Sequence, residues 1–298
     1  KLTFLASDQD AKKVGSPAQS VYLAEQKIVK KATRKRPAVK EVVVRELIPE
    51  DYADLPDGWI VGEGTRASFS NDSDRLILQL GRRMPPKDTT VIGSEAAQLD
   101  IWLWDAYEVP PAARRNSVKY ERTAIINLND DPNRLIVLTS GPFDRVSFIK
   151  GAEGDLAFAS DQTKYHLDNQ WHDPPVFDYF LVNLKDGSRK PVATRETPRS
   201  ISPDGKYIYW YSQLDTNWYC HNISAGTTVN LTAKLGVSFD NPDVDSPNGL
   251  HHYGGPTWLG EDECMLIPDR YDIWKLDPDG KSAVCLTKGE GRRKGLQF

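Results

Sequence analysis

The 298-residue sequence predicts an all-β protein: a partial β-propeller of four-stranded antiparallel blades, about four complete and one partial. Three observations predict it. A strand–turn–strand unit that closes on a threonine occurs four times. A second, shorter hairpin precedes each of the four. On either side of the turns, apolar and polar residues alternate with a period of two, which is the period of a half-buried strand.

The closing hairpins are RTAIINLNDDPNRLIVLT (122–139), DYFLVNLKDGSRKPVAT (178–194), NWYCHNISAGTTVNLT (217–232) and DRYDIWKLDPDGKSAVCLT (269–287). From the residue that opens the strand (Arg122, Asp178, Asn217 or Asp272) to Thr139, Thr194, Thr232 or Thr287 is 15–17 residues. The last unit shows the mechanism: Pro278 presets φ and Gly280 supplies the φ > 0 that a tight turn requires. The hairpins before them are ASFSNDSDRLILQL (67–80), VSFIKGAEGDLAFAS (146–160), RSISPDGKYIYWYS (199–212) and PTWLGEDECMLI (256–267). Turns are expected near Gly187, Gly205, Gly226 and Gly280. Tyr207–Tyr211 forms an aromatic strand.

These units divide the chain 1–298 into a partial blade (1–50), a blade over 55–140 with an insertion at 82–119, blades over 145–195, 199–233 and 255–288, and the start of a further blade (289–298). Within the first insertion DIWLW (100–104) reads as a strand. Leu296-Gln297-Phe298 reads as the opening of the next blade, so the chain is expected to be a fragment of a longer protein. The outer faces of its two terminal blades, the partial one around Leu2–Ala24 and the one ending at Thr287, are expected to expose aromatic and aliphatic side chains, Trp274 and Leu276 among the candidates. Lys27, Lys30, Lys31, Arg34, Lys35, Arg36 and Lys40 form a local basic cluster, read as a solvated loop and an edge strand kept soluble by lysine.

Composition narrows the function. With 39% hydrophobic and 27% charged residues the chain is globular. A net charge of −4 gives no bulk attraction for nucleic acid or anionic membrane. The longest apolar run, Tyr207–Tyr211, is far short of the roughly 20 residues of a membrane helix, so no membrane span is expected. The three cysteines, Cys220, Cys264 and Cys285, lie in strands and have no zinc-site spacing. No cofactor and no metal are expected.

Four motifs bear on chemistry. Gly62-Glu63-Gly64-Thr65-Arg66-Ala67 fits G-x-G-x-x-A, but an alternating strand pattern follows where a dinucleotide site needs a helix; it reads as a turn. No G-x-S-x-G run supplies a nucleophile elbow, and Gly236-Val237-Ser238-Phe239-Asp240 lacks the second glycine; no catalytic residue is assigned. His251-His252-Tyr253 is the densest histidine spot, with Asp243 and Asp245 nearby, and reads as a surface loop that could ligate metal. Trp171-His172-Asp173-Pro174-Pro175 is a loop carrying a bulky aromatic residue. Trp171, His172, His251 and Tyr253 are the candidate substrate-facing residues.

The run MPPKDTTVIGSEAAQLDIWLWD (84–105), then SPDGKYIYWYS, then DRYDIWKLDPDGKSAVCLTKGEGRRKGLQF resembles the N-terminal propeller of prolyl oligopeptidase-family (S9-type) serine peptidases over roughly residues 55–298. The first 50 residues match more loosely. The resemblance implies a C-terminal α/β-hydrolase domain carrying Ser, Asp and His. None of that domain is in this sequence, and the glutamate pair by which some members hold a substrate amino terminus has no match here. It also implies a propeller that gates peptide access and docks the hydrolase domain, in a periplasmic or secreted protein. Two other readings stand beside it: a stand-alone propeller binding protein or glycan, and a metal-dependent propeller polysaccharide lyase with His251 or His252 as ligand.

Overall fold

A computed structural model describes residues 1–7, 17–30, 39–53, 55–62, 65–83, 90, 100–106, 110, 122–141, 143–171, 174–197, 199–213, 215–244 and 251–298. The chain divides into two compact units: Lys1–Val146 with Gly151–Ala157 and Val182–Arg189, and Ser147–Lys150 with Phe158–Leu181 and Lys190–Phe298.

The first unit opens with a three-stranded antiparallel sheet of β1 (Leu2–Ala6), β2 (Ser20–Lys30) and β3 (Val39–Ile48). A five-stranded sheet follows: β4 (Trp59–Ile60), β5 (Arg66–Phe69), β6 (Arg75–Arg82), β7 (Arg122–Asn127) and β8 (Leu135–Val137). Its order is β4-β6-β7-β8, with β5 also paired to β6. The period-two pattern sets the core, because Leu76, Leu78 and Leu80 fall on one face of β6 and are fully buried with Val21, Leu23, Ala124 and Ile126. The G-x-G-x-x-A run leads into strand β5, as a turn does, and the Gly62 N–H donates to Thr65 Oγ1 at 2.9 Å.

Three four-stranded antiparallel sheets come next. The first has β9 (Asp144–Phe148), β10 (Leu156–Asp161), β11 (Phe177–Asn183) and β12 (Arg189–Glu196), in the order β12-β11-β10-β9. The second unit holds β13 (Ser200–Ile201), β14 (Tyr207–Ser212), β15 (Asn217–Asn222) and β16 (Thr227–Asn230), in sequential order. It also holds β17 (Thr257–Leu259), β18 (Cys264–Pro268), β19 (Ile273–Leu276) and β20 (Ala283–Cys285). Sheets of four sequential antiparallel strands, repeated along an almost wholly β chain, make this a partial β-propeller. The turn glycines Gly187, Gly205, Gly226 and Gly280 all have φ between 67° and 75°. At Gly205 a side chain has no room either, since a Cβ would lie 2.1 Å from Ile149 Cγ2.

The recurring threonines have a structural cause. The hydroxyl of Thr139 accepts the N–H of Thr123 at 2.9 Å, that of Thr232 the N–H of Trp218 at 2.9 Å, and that of Thr287 the N–H of Ile273 at 3.2 Å. Each ties the start of a third strand to the chain leaving the fourth. Thr232 and Thr287 also donate to the preceding side chain, Asn217 Oδ1 at 2.9 Å and Asp272 Oδ1 at 2.6 Å. Thr194 departs from the pattern and is exposed. In that blade Asp178 accepts instead from Tyr165 Oη at 2.6 Å, Lys164 Nζ at 2.8 Å and the Arg195 N–H at 3.1 Å, with Arg195 at φ 51°.

A second recurring group is serine. Ser70 and Ser202 accept the N–H of the residue five positions on, Arg75 at 2.9 Å and Tyr207 at 3.0 Å. They donate to Asp72 and Asp262, each at 2.5 Å. Such bonds occupy backbone donors that a buried tight turn would otherwise strand.

Three expectations need correction. DIWLW is not a strand: Ile101–Trp104 are 61–86% exposed and pair with no strand among the described residues, and an extended segment without a partner has no ladder to hold it. Leu296–Phe298 have no regular structure. They follow a short helix α1 (Glu290–Lys294), bracketed by left-handed Gly289 and Gly295, whose first turn is held by the Asp272 carboxylate on the N–H groups of Gly291 and Arg292. Trp274 and Leu276 are not on an open face. Leu276 is 1% exposed and the Trp274 indole donates to Asp269 Oδ2 at 2.8 Å, whereas the outward residues near the chain end are Val284 and Leu286. Most of the basic cluster lies outside the described residues.

Candidate functional site

The second unit contains a cleft of about 350 Å³ lined largely by aromatic and histidine side chains. Its floor follows from the β14/β15 register, which sets Tyr211 opposite Trp218 and Trp210 opposite Tyr219. Cross-strand neighbours lie close enough for their rings to meet. Tyr211 and Trp218 sit 5.4 Å apart between centroids. His252 completes a triangle, 5.3 Å from Tyr211 edge-on and 4.8 Å from Trp218. A single bridge between Asp240 and His252 holds the histidine segment in place. Pro174, Pro256 and Tyr209 also line the cleft.

Polar chemistry at this cleft is unspent. Among the described residues, Tyr211 Oη, Trp218 Nε1, His251 Nε2 and His252 Nδ1 are buried atoms without a hydrogen-bond partner. Tyr211 and Trp218 are 9% and 3% exposed. Each such orphan costs about 1–3 kcal/mol unless water or a ligand meets it. Burial holds the His252 imidazole below the usual histidine range, with a backbone bond at Gly254 acting the other way. Burial also pushes the Tyr211 phenol up, so both groups are neutral near pH 7. The set is one obligate N–H donor, one hydroxyl that donates or accepts, and imidazoles that do either. Flat rings beside these groups suit a ligand with apolar faces and amide or hydroxyl edges.

Of the residues singled out in the sequence, His251 lines the cleft. Tyr253 lies beside the histidines with its hydroxyl buried and unpartnered among the described residues. Trp171 is 89% exposed and is not part of the lining, and His172 lies outside the described residues. His252 was named only as a possible metal ligand, and sequence reasoning did not single out Tyr209, Tyr211 or Trp218. Their signal was the density of rings in YIYWYS and NWYCH, which reads equally well as core. As for metal, no group of three or more His, Cys, Asp and Glu side chains capable of holding an ion occurs among the described residues. Asp243 pairs with Arg270 at 3.1 Å, and His252 packs against the rings of Tyr211 and Trp218. Among the described residues no helix is long and apolar enough to cross a membrane.

No family model matches the chain, and no curated protein matches its sequence. A putative TolB from Agrobacterium tumefaciens is similar in structure at 15% identity and a TM-score of 0.33, over 82% of this chain and 65% of that one. A prolyl endopeptidase structure gives 11% identity and a TM-score of 0.37 over 89% of this chain and 33% of its own. A nidogen–laminin complex gives 7% identity and a TM-score of 0.32 over 91% and 75%. This chain thus spans about a third of the length of the prolyl endopeptidase.

Proposed function

We propose that this chain is the non-catalytic propeller region of an exported serine peptidase of the prolyl oligopeptidase type, and that its aromatic cleft receives peptide. The reading is carried by one observation: Tyr211, Trp218, His251 and His252 line the cleft together, and each has a polar atom without a hydrogen-bond partner among the described residues. Backbone amides of an extended peptide match those groups, and side chains match the rings. The PPKDTT, DIWLW and DRYDIW…DPDG segments support the family part of the reading. In it, a hydrolase domain of the same protein carries the catalytic Ser, Asp and His, while the propeller restricts what reaches it. In this reading His251, Tyr253, Trp171 and His172 contact the peptide.

Tyr211→Phe tests the cleft. The hydroxyl makes no hydrogen bond among the described residues, so its removal leaves the unfolding midpoint unchanged or slightly raised. Binding of a labelled unstructured peptide to the chain weakens by about tenfold, the equivalent of one hydrogen bond to a ligand. Equal peptide affinity of the two proteins contradicts the reading. Binding of an oligosaccharide in place of the peptide makes the chain a glycan-binding propeller.

A further inference from the structure

Arg199 is a cation in an unusual position. Its side chain is only 7% exposed. The guanidinium lies 3.6 Å from the centroid of the Trp210 ring and 5.9 Å from that of Tyr179. Its one ion-pair partner among the described residues is Glu196, at 3.3 Å and itself 44% exposed. Arg199 Nε is buried and makes no hydrogen bond among the described residues. Burial draws the guanidinium pKa down and the charge of Glu196 pushes it back. An arginine never gives up its proton in a protein, so its unmatched N–H remains a charged, desolvated donor.

That side chain lines a second cavity of about 340 Å³, shared with Ser147, Ser160, Ser200, Phe177 and Tyr179. Three serines and a largely buried arginine line this cavity together with the aromatic residues Phe158, Phe177 and Tyr179, a lining whose chemistry suits a planar anion. The backbone of the arginine is fixed as well. Its N–H donates to Tyr179 Oη at 3.1 Å, and that hydroxyl donates to the Thr197 carbonyl at 3.2 Å. Ser200 lines this cavity and the aromatic cleft alike.

We propose that Arg199 and the serines around it bind a carboxylate group of the peptide that occupies the aromatic cleft. The inference rests on the peptide reading and adds a charge requirement to it. Two sources present this chemistry, a peptide's C-terminal carboxylate and an Asp or Glu side chain. The Trp210 ring under the guanidinium holds its plane, so an incoming carboxylate meets a cation of fixed orientation with serines beside it. Glu196, half-exposed, is free to swing toward water when a ligand anion takes its place.

The test compares three peptides of one aromatic-rich sequence on the intact chain by calorimetry: the free acid, its C-terminal amide, and the amide with one internal Asp. A C-terminal site binds the free acid about tenfold more tightly than the plain amide, and a side-chain site prefers the Asp peptide by a similar factor. Arg199→Gln abolishes whichever preference exists, and Arg199→Lys, which keeps charge without the planar fork, retains only part of it. Should the variants fold poorly, sodium acetate answers on the wild-type protein: it competes with the anionic peptide and leaves the plain amide untouched. Equal affinity for all three peptides overturns the carboxylate site while the peptide reading stands. Failure of all three to bind overturns both.

Discussion

Replacing Thr232 with valine removes one hydroxyl and keeps the side-chain volume. Thr232 is 1% exposed and Trp218, whose N–H it accepts at 2.9 Å, is 3% exposed. No cavity opens, so the cost is that of a buried donor left without an acceptor, about 1–3 kcal/mol. The lost bond to Asn217 Oδ1 matters less, because Asn217 is only partly buried and water replaces the hydroxyl there. Thr139→Val, at 3% exposed and also bonded at 2.9 Å, should cost the same. Thr194 occupies the same place in its repeat but is exposed, so Thr194→Val should change stability by less than about 0.5 kcal/mol. Urea unfolding followed by circular dichroism reads all three, with the midpoint moving and the slope constant. A Thr194 variant as destabilised as the Thr232 variant refutes the reasoning, since the repeated threonine would then act through something other than this hydrogen bond.

Two further outcomes follow from the buried charges. Arg75 bonds Asn127 Oδ1 at 2.9 Å, the carbonyls of Ala152 and Gly154 at 2.7 and 2.8 Å, and Asp155 at 2.7 Å, so Arg75→Met should cost about 3–5 kcal/mol in thermal or urea unfolding; a loss under about 1 kcal/mol contradicts that network. His252 and His221 are both held below the ordinary value of 6.5, chiefly by burial, with His251 and Arg199 respectively adding to it. Below pH 6.5 the unfolded chain takes up protons that the folded chain refuses, so this stability is complete above 6.5 and is lost as the pH falls. Carboxylates such as Asp178 and Asp272, held below 3.8, act only at lower pH. His252→Phe should make the loss between pH 6.5 and 5 shallower, and stability that rises on acidification through that window contradicts the assignment.

The blades were legible because their signals are local. Turn residues at fixed offsets and two-residue alternation specify a hairpin wherever they occur, and the threonine spacing marked four of them. DIWLW is a short apolar run like a buried strand and has no strand to pair with among the described residues, which its own residues do not reveal. Leu276 misled for a related reason. Period two divides a strand into faces, but which face is covered depends on Met265 and Ile267, which pack with it in the core. The cleft was half legible. His251 stood out as a histidine, whereas Tyr211 and Trp218 look like core aromatics until the cross-strand register sets them together. Arg199 gave no signal, since its isolation depends on Trp210, Tyr179 and Glu196 all reaching it at once.

The indole N–H of Trp218 tests the central claim most directly. In a protein labelled with ¹⁵N-tryptophan, a peptide that enters the cleft should shift the Trp218 indole resonance downfield as its unpartnered N–H finds an acceptor, and Tyr211→Phe should weaken the titration without moving the free resonance far. A peptide that saturates its binding while the Trp218 indole stays unmoved would place the ligand elsewhere and contradict the account.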